Sequence, residues 1–362
     1  MNSESTEHDW RFYLSPSATW QAMYDDCSQA RKTIEMEQYI FNNDEVGQKF
    51  MQLFIEKAKQ GIAVRLLCDE VGSRSFWGSK QVSELRQNGG SFEFYNSLKF
   101  IDLFKPKLLF PRTHVKALVV DAAIAYIGGV CLAKRMESWR DTQLRITGPV
   151  VRQIKEALDR NSFYDGHPPP PPKYRSEQHA GHNFFYIQND PGLFRHAIYQ
   201  ALLEAIRNAK ETIYISESIF IPTRRLRRYL KQAIGRGVEV IILVPSVSDC
   251  WIADWVSLSY AWGLLNAGVR IFHYESTVLH TKTTLIDERW ATVGSCNMDP
   301  LSFFHNRESN LIVQDKKVAE VMRKDFVNDL EHSREVTFET MRKIPLWKRA
   351  VARLARLLRP LL

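Results

Sequence analysis

The feature that most constrains this chain is a motif that occurs twice. His114-Val-Lys116 is followed by Asp121 and then Gly128-Gly129, and His280-Thr-Lys282 by Asp287 and then Gly294-Ser295. In both copies the step from the histidine is 2 to the lysine, 7 to the aspartate and 14 to the first glycine. Cys131 and Asn297 each stand 17 residues after their histidine. Asp141 and Glu308 stand 27 and 28 residues after theirs, each preceded by an arginine, Arg140 or Arg307. The likeness extends upstream. Ala30-Arg-Lys-Thr-Ile-Glu-Met-Glu matches Ala209-Lys-Glu-Thr-Ile-Tyr-Ile-Ser, and Gly61-Ile-Ala-Val-Arg-Leu-Leu-Cys matches Gly237-Val-Glu-Val-Ile-Ile-Leu-Val. So many equal offsets point to duplication of one unit.

The matched stretches are short β-branched strands, and amphipathic patterns over Val46 to Gln60 and Arg224 to Arg236 precede the second strand of each copy. Strand, helix and strand in succession predict βαβ crossovers and a largely parallel sheet, hence an α/β fold. Five consecutive prolines in His167–Lys173 favour a stiff exposed spacer, although a Pro-rich ligand for a partner is the other reading. The chain therefore divides into a first half (1–166), a Pro-rich linker (167–183), a second half (184–336) and a tail (337–362). One insertion separates the copies. Tyr274 precedes His280 by 6 residues, whereas Tyr95 precedes His114 by 19. The extra segment in Asn96 to Thr113 mixes large apolar residues with cations, which suits either a lipid-facing loop or a loop folded onto the core.

Composition narrows the class. A length of 362 residues fits two domains, and 44% hydrophobic with 25% charged residues is globular composition. Five cysteines (Cys27, Cys68, Cys131, Cys250, Cys296) without a CxxC pair argue against a disulfide framework or a zinc site and for a reducing compartment. No run of 18 apolar residues is present, so no membrane-crossing helix is expected, and the polar, acidic start does not read as a signal peptide.

The net charge of +8 is unevenly placed. Arg342, Lys343, Lys348, Arg349, Arg353, Arg356 and Arg359 fall between Met341 and Leu362 with no acid in that stretch, leaving the rest nearly neutral. A nucleic-acid binder spreads cations over its folded face instead, so no nucleic-acid partner is expected. On a helical wheel Trp347, Val351, Leu354, Leu357, Leu358 and Leu361 share one face and the cations the other. Such a helix suits an anionic lipid interface; the plainer alternative is docking on the protein's own surface.

A histidine two residues from a lysine on a strand places both on one sheet face. Two such pairs supply two imidazoles and two ammonium groups, which suit a phosphate. One imidazole can attack phosphorus while the other moves a proton, and a carboxylate from Asp141 or Glu308 can fix a tautomer. A lysine beside each histidine repels a divalent ion, so neither metal nor cofactor is expected.

The doubled HxKxxxxD motif with its Gly-rich turn resembles the phospholipase D superfamily, from about residue 10 to 336. Bacterial cardiolipin synthases are the nearest likeness, through Trp139-Arg-Asp-Thr-Gln-Leu-Arg-Ile-Thr-Gly-Pro-Val, Gly294-Ser-Cys-Asn-Met-Asp-Pro-Leu-Ser-Phe-Phe-His-Asn-Arg-Glu308-Ser-Asn, and Phe220-Ile-Pro222. The resemblance implies two pseudo-twofold-related α/β sandwich domains with an active site at their interface. It implies that His114, Lys116, His280, Lys282 and Asn297 contact the phosphate. By the same resemblance Asp141 and Glu308 orient the imidazoles, each serving the histidine of the opposite half. Asp121 and Asp287, the remaining members of the catalytic motif, are implied to be mainly structural. Analogy favours His114 as nucleophile and His280 as acid and base, although the near-symmetry leaves either assignment open. Cys131 departs from the family's asparagine, and a thiol is a weak donor.

The activity implied is phosphatidyl transfer between two phosphatidylglycerol molecules on an anionic phospholipid membrane. The protein would be peripheral on the cytoplasmic face of the bacterial inner membrane. A phospholipid hydrolase, transfer to another alcohol, a nuclease and an inactive membrane scaffold are the rivals.

Overall fold

The computed structural model describes residues 8–97, 111–162, 183–189 and 196–357. The described residues gather into two compact units. One comprises the described residues up to 162 together with Asn306–Ser309; the other comprises 183–189, His196–His305 and 310–357. The insertion beside Tyr95 (98–110), nearly all of the expected linker (167–182) and the last residues of the tail (358–362) lie outside the described residues.

The first unit contains β1 (Trp10–Tyr13), α1 (Pro16–Ser28), β2 (Thr33–Gln38), α2 (Glu45–Lys59), β3 (Ala63–Asp69), α3 (Lys80–Gln87), β4 (Ser91–Tyr95), β5 (Lys116–Val120), β6 (Ile124–Gly128), β7 (Gln143–Thr147) and α4 (Val150–Ser162). Its seven strands lie in the order β1-β7-β6-β5-β2-β3-β4. The second unit contains β8 (Phe184–Asn189), α5 (Ala197–Asn208), β9 (Thr212–Glu217), α6 (Arg224–Gly235), β10 (Glu239–Pro245), α7 (Trp251–Asn266), β11 (Arg270–Tyr274), β12 (Lys282–Ile286), β13 (Trp290–Gly294), α8 (Pro300–Phe304), β14 (Glu308–Val313, whose first two residues group with the first unit), α9 (Lys316–Glu331), β15 (Ser333–Val336), α10 (Phe338–Lys343) and α11 (Leu346–Ala355). Its eight strands lie in the order β15-β11-β10-β9-β12-β13-β14-β8. The run β7-β6-β5-β2-β3-β4 thus repeats as β14-β13-β12-β9-β10-β11, which is the α/β architecture expected of a duplicated unit.

The expectation of a largely parallel sheet is corrected. Among the described pairings given by register, β2-β3-β4 and β9-β10-β11 are parallel, whereas β5, β6 and β7, and likewise β12, β13 and β14, pair antiparallel. The reason is local. The helical crossovers α2 and α6 can only return the chain parallel, whereas a two-residue turn can only return it antiparallel. That turn is Asp121-Ala122 in one copy and Asp287-Glu288 in the other, with φ of 52° and 53°, and of 54° and 48°. Positive φ at both positions is the hairpin turn that aspartate tolerates.

Helix α2 shows why such segments are helical. Asp44 caps it by accepting from the N–H groups of Val46 and Gly47, and Lys57 and Lys59 close its last turn. Phe50, Met51, Phe54, Ile55 and Ala58 form one buried stripe. The stripe joins a core with Phe41, Phe76 and Phe92, whose rings meet Phe41 at centroid distances of 4.7 and 6.2 Å. In the second unit Leu226 and Leu230 of α6 and Val256, Tyr260 and Leu264 of α7 cover Ile213, Ile215, Val240 and Ile242 of the sheet.

The tail forms α10 and α11 and docks on its own unit. Ala352 is buried, Ala355 packs partly against the core, and the Arg356 guanidinium lies 4.4 Å from the Tyr260 ring of α7. Arg349 ties the two short helices together by donating to the carbonyls of Ile344, Met341 and Arg342. The apolar stripe faces away from this contact: Leu346, Trp347, Leu354 and Leu357 are 77%, 61%, 65% and 77% exposed. Among the described residues no helix is long and apolar enough to cross a membrane.

Candidate active site

Each HxK pair sits at the entry to a hairpin. Sheet pairing begins at the lysine, with Lys116 opposite Gln38 and Lys282 opposite Glu217. His114 therefore precedes its strand. Its backbone is taken up elsewhere: Thr113 bridges Arg307, and His114 N–H donates to the Arg307 carbonyl at 2.9 Å. The lysine folds back, and Lys116 Nζ donates to the His114 carbonyl at 2.8 Å. Lys282 Nζ makes the matching bond to the His280 carbonyl. Both lysines are buried, and a buried ammonium is retained only where oxygen atoms meet it.

In the first unit Glu308 approaches the imidazole of His114. Its two carboxylate oxygens lie 2.9 and 3.0 Å from Nδ1, and its side chain is fully buried. A carboxylate at Nδ1 makes that nitrogen the donor, so in the neutral ring Nε2 is the unprotonated nitrogen. The Tyr39 ring meets the imidazole edge to face at 4.8 Å and lies 5.3 Å from Lys116 Nζ.

Two buried acids hold the approach to His114. Asp69, at the end of β3, accepts from Arg112 Nε at 2.9 Å and from Thr113 N–H at 3.0 Å. Burial pushes the Asp69 carboxyl above its ordinary range, although Arg112 opposes that shift. Glu37 accepts from the Thr113 hydroxyl, from Asn161 Nδ2 at 2.6 Å and from Arg307 at 3.5 Å.

The Gly-rich turn follows. A Cβ on Gly128 would lie 2.2 Å from the Thr142 carbonyl oxygen, and one on Gly129 would lie 2.2 Å from the Asp141 carboxylate. The glycines let β7 and Asp141 pass close. The Asp141 carboxylate accepts from Thr142 N–H at 2.7 Å and is buried. Cys131 is buried, its thiol directed to the Gly129 carbonyl at 4.0 Å and its own carbonyl accepting from Trp20 at 2.8 Å.

The second copy is wired differently. Lys282 Nζ donates to Ser218 Oγ at 2.9 Å, and Ser218 donates to Asn297 Oδ1 at 2.8 Å. With its oxygen engaged, Asn297 presents amide N–H donors. His280 is buried, and Glu217 accepts from Met298 N–H at 3.3 Å.

Asp121 and Asp287 serve the scaffold in the same way as each other. Asp121 accepts from the N–H groups of Arg31, Lys32 and Thr33 at 2.8, 2.7 and 2.9 Å. Asp287 accepts from Lys210, Glu211 and Thr212 at 2.8, 2.8 and 3.0 Å. Each pins the start of β2 or β9 to the hairpin turn. Burial works against the Asp121 charge, but the bonds from Thr33, Arg31 and Lys32 outweigh it and hold the carboxyl below its ordinary range.

Tyr39, Ser218, Glu37, Asp69 and Arg112 are the contacts that sequence reasoning did not single out. Tyr39 and Ser218 each stand one residue past matched strands, so carrying the repeat slightly further would have reached them. Among the described residues no three His, Cys, Asp or Glu side chains gather as a metal site.

Comparison with known proteins adds an independent line. A family model described as "Cardiolipin synthase, PLD-like domain" matches residues 23–160 and 202–330. A cardiolipin synthase of Staphylococcus aureus is 32% identical over 99% of this chain and 74% of its own length. The major cardiolipin synthase ClsA of Bacillus subtilis is 33% identical over 95% of this chain and 73% of its own length. The crystal structure of a phosphatidylserine synthase from Haemophilus influenzae superposes with a TM-score of 0.74, covering 98% of this chain and 95% of that one. At 13% identity that likeness speaks to the fold.

Proposed function

We propose that this chain, which belongs to the phospholipase D-like cardiolipin synthase family, transfers a phosphatidyl group from one phosphatidylglycerol to a second, forming cardiolipin and releasing glycerol. The observation that carries the proposal is the Glu308–His114 pair. Both carboxylate oxygens meet Nδ1, so the neutral imidazole carries its proton there and Nε2 is the unprotonated, nucleophilic nitrogen.

His114 Nε2 attacks the donor phosphorus and forms an N–P bond as the P–O bond to the glycerol headgroup breaks. His280 gives its proton to the departing glycerol oxygen. His280 then takes the hydroxyl proton of a second phosphatidylglycerol, whose oxygen attacks phosphorus and expels His114. Lys116, Lys282 and the Asn297 amide hold the non-bridging oxygens, where negative charge develops. Asp141 is the orienting carboxylate assigned to His280. Cys131 offers a weak donor at the Asn297 position of the other copy. Asp121 and Asp287 act on the scaffold rather than on the lipid. The residues present supply nucleophile, acid, base and charge without a metal or cofactor.

Membrane attachment falls to α11. Its exposed apolar stripe, flanked by Lys348 and Arg353, suits partial burial in an anionic bilayer on the cytoplasmic side.

Purified protein incubated with phosphatidylglycerol vesicles, without added metal, tests the reaction by mass spectrometry of the lipids. Cardiolipin and glycerol are expected, and both disappear in His114→Ala and His280→Ala. Phosphatidic acid in place of cardiolipin would make water the acceptor and the protein a hydrolase.

A further inference from the structure

We propose that a cavity inside the second unit, roofed by the C-terminal helices, is an acyl-chain site for the phospholipid whose phosphate is held beside Lys282. The inference rests on the transferase reading for the identity of its lipid. The cavity has a volume of about 370 Å³, within the range of ligand pockets. Ile242 and Ile271 of the sheet, Leu258 and Ala261 of α7, and Met341 and Ile344 of the C-terminal segment form its three sides.

Two features select a lipid chain as the occupant. The first is continuity with the candidate site. Ser218 lines the cavity, and the same residue accepts from Lys282 Nζ and donates to Asn297. A molecule with its phosphate at that network has an apolar chamber at its side. The second is the roof. Ile344 and Lys348 line the cavity, and the next residues carry the exposed apolar stripe of α11. The segment that closes the chamber is thus the one suited to a bilayer, so a chain can pass from lipid to chamber under it.

The polar residues of the lining are compatible with hydrocarbon. Burial raises the Asp254 carboxyl above its ordinary range and lowers the His273 imidazole below its own, with Arg334 adding to the latter shift. Both shifts favour the uncharged forms. Of the cations in the lining, Arg334 is paired with Glu275 at 2.8 Å and Lys348 belongs to α11.

The test uses the full chain and phosphatidylglycerol carrying a pyrene-labelled acyl chain. Ser257 lines the cavity from α7, and Ser257→Trp places an indole in it. Saturable binding of one labelled lipid is expected for the protein, weakened about tenfold or more in Ser257→Trp. Val327→Trp on α9, outside the cavity, serves as the bulk control and binds as the unsubstituted protein does. Leu258→Ala enlarges the chamber and shifts the preferred acyl chain to a longer one, a gain that misfolding does not produce. Equal binding by the unsubstituted protein and Ser257→Trp, with no shift in Leu258→Ala, overturns the site whatever the activity. Weakened binding in Ser257→Trp without cardiolipin from any variant supports the site and refutes the transfer reaction instead.

Discussion

The two copies of the motif share a frame and differ in what surrounds the reactive groups. Asp121 and Asp287 make the same three backbone bonds, and Lys116 and Lys282 fold back onto the same carbonyl. The residue after β2 or β9 is where they part. Tyr39 packs its ring on His114, whereas Ser218 links Lys282 to Asn297. The 17th residue after each histidine changes with it: Cys131 accompanies the tyrosine and Asn297 the serine. The first copy is built around an imidazole held by a carboxylate and an aromatic face. The second is built around an ammonium in a chain of hydrogen bonds. Duplication preserved what folds the hairpins, and divergence fell on what a phosphate would meet. On the proposed mechanism His114 is the nucleophile and the second copy handles charge and protons.

Substitutions can break the comparison, beginning with the largest effect. Glu308→Gln keeps the shape of the carboxylate but removes its charge, and should lower kcat by about 10³–10⁴ while changing KM little. A loss below tenfold would mean that the His114 tautomer is fixed by something else. Asn297→Ala should cost about 10²–10³ in kcat, the usual effect of losing a donor to developing charge. Cys131→Ala should cost only a few-fold, since a thiol donates weakly. Equal losses from these two would erase the asymmetry.

Leu354→Ser combined with Leu357→Ser should weaken sedimentation with anionic vesicles about tenfold, because each exposed leucine contributes apolar area to the contact. Unchanged sedimentation would assign attachment to another surface. Asp121→Asn should have the smallest effect on turnover and act on stability, by about 1–3 kcal/mol. The Asp121 carboxyl is depressed in the folded chain, so its contribution is present above the unfolded value of about 3.9. That contribution disappears as pH falls through the folded value. Acid-unfolding curves of the protein and of Asp121→Asn should therefore converge at low pH; curves that stay parallel would contradict the role.

Much of this was legible in the residue pattern, and the exceptions have physical reasons. The repeat and its β-branched runs predicted the strands and the crossovers α2 and α6, because those depend on local periodicity. The antiparallel half of each sheet was missed because Asp121 and Asp287 read as members of a chemical motif. Their value as turn residues at positive φ emerged only from the backbone. Equal offsets singled out the histidines and lysines of both copies. They could not single out Asp69, whose counterpart in the repeat is Pro245, since a residue present in one copy has no partner to reinforce it. The wheel placed the apolar stripe of the tail on one face, but small residues such as Ala352, which dock it on α7, carry little signal in a pattern of large side chains.

The most direct test of His114 as the nucleophile is to trap the covalent step. Protein mixed with phosphatidylglycerol, quenched in alkaline denaturant to preserve an N–P bond and digested, should yield one phosphatidyl-bearing peptide containing His114. That adduct should be absent from His114→Ala. An adduct on His280 instead, or cardiolipin formed by His114→Ala, would contradict the assignment.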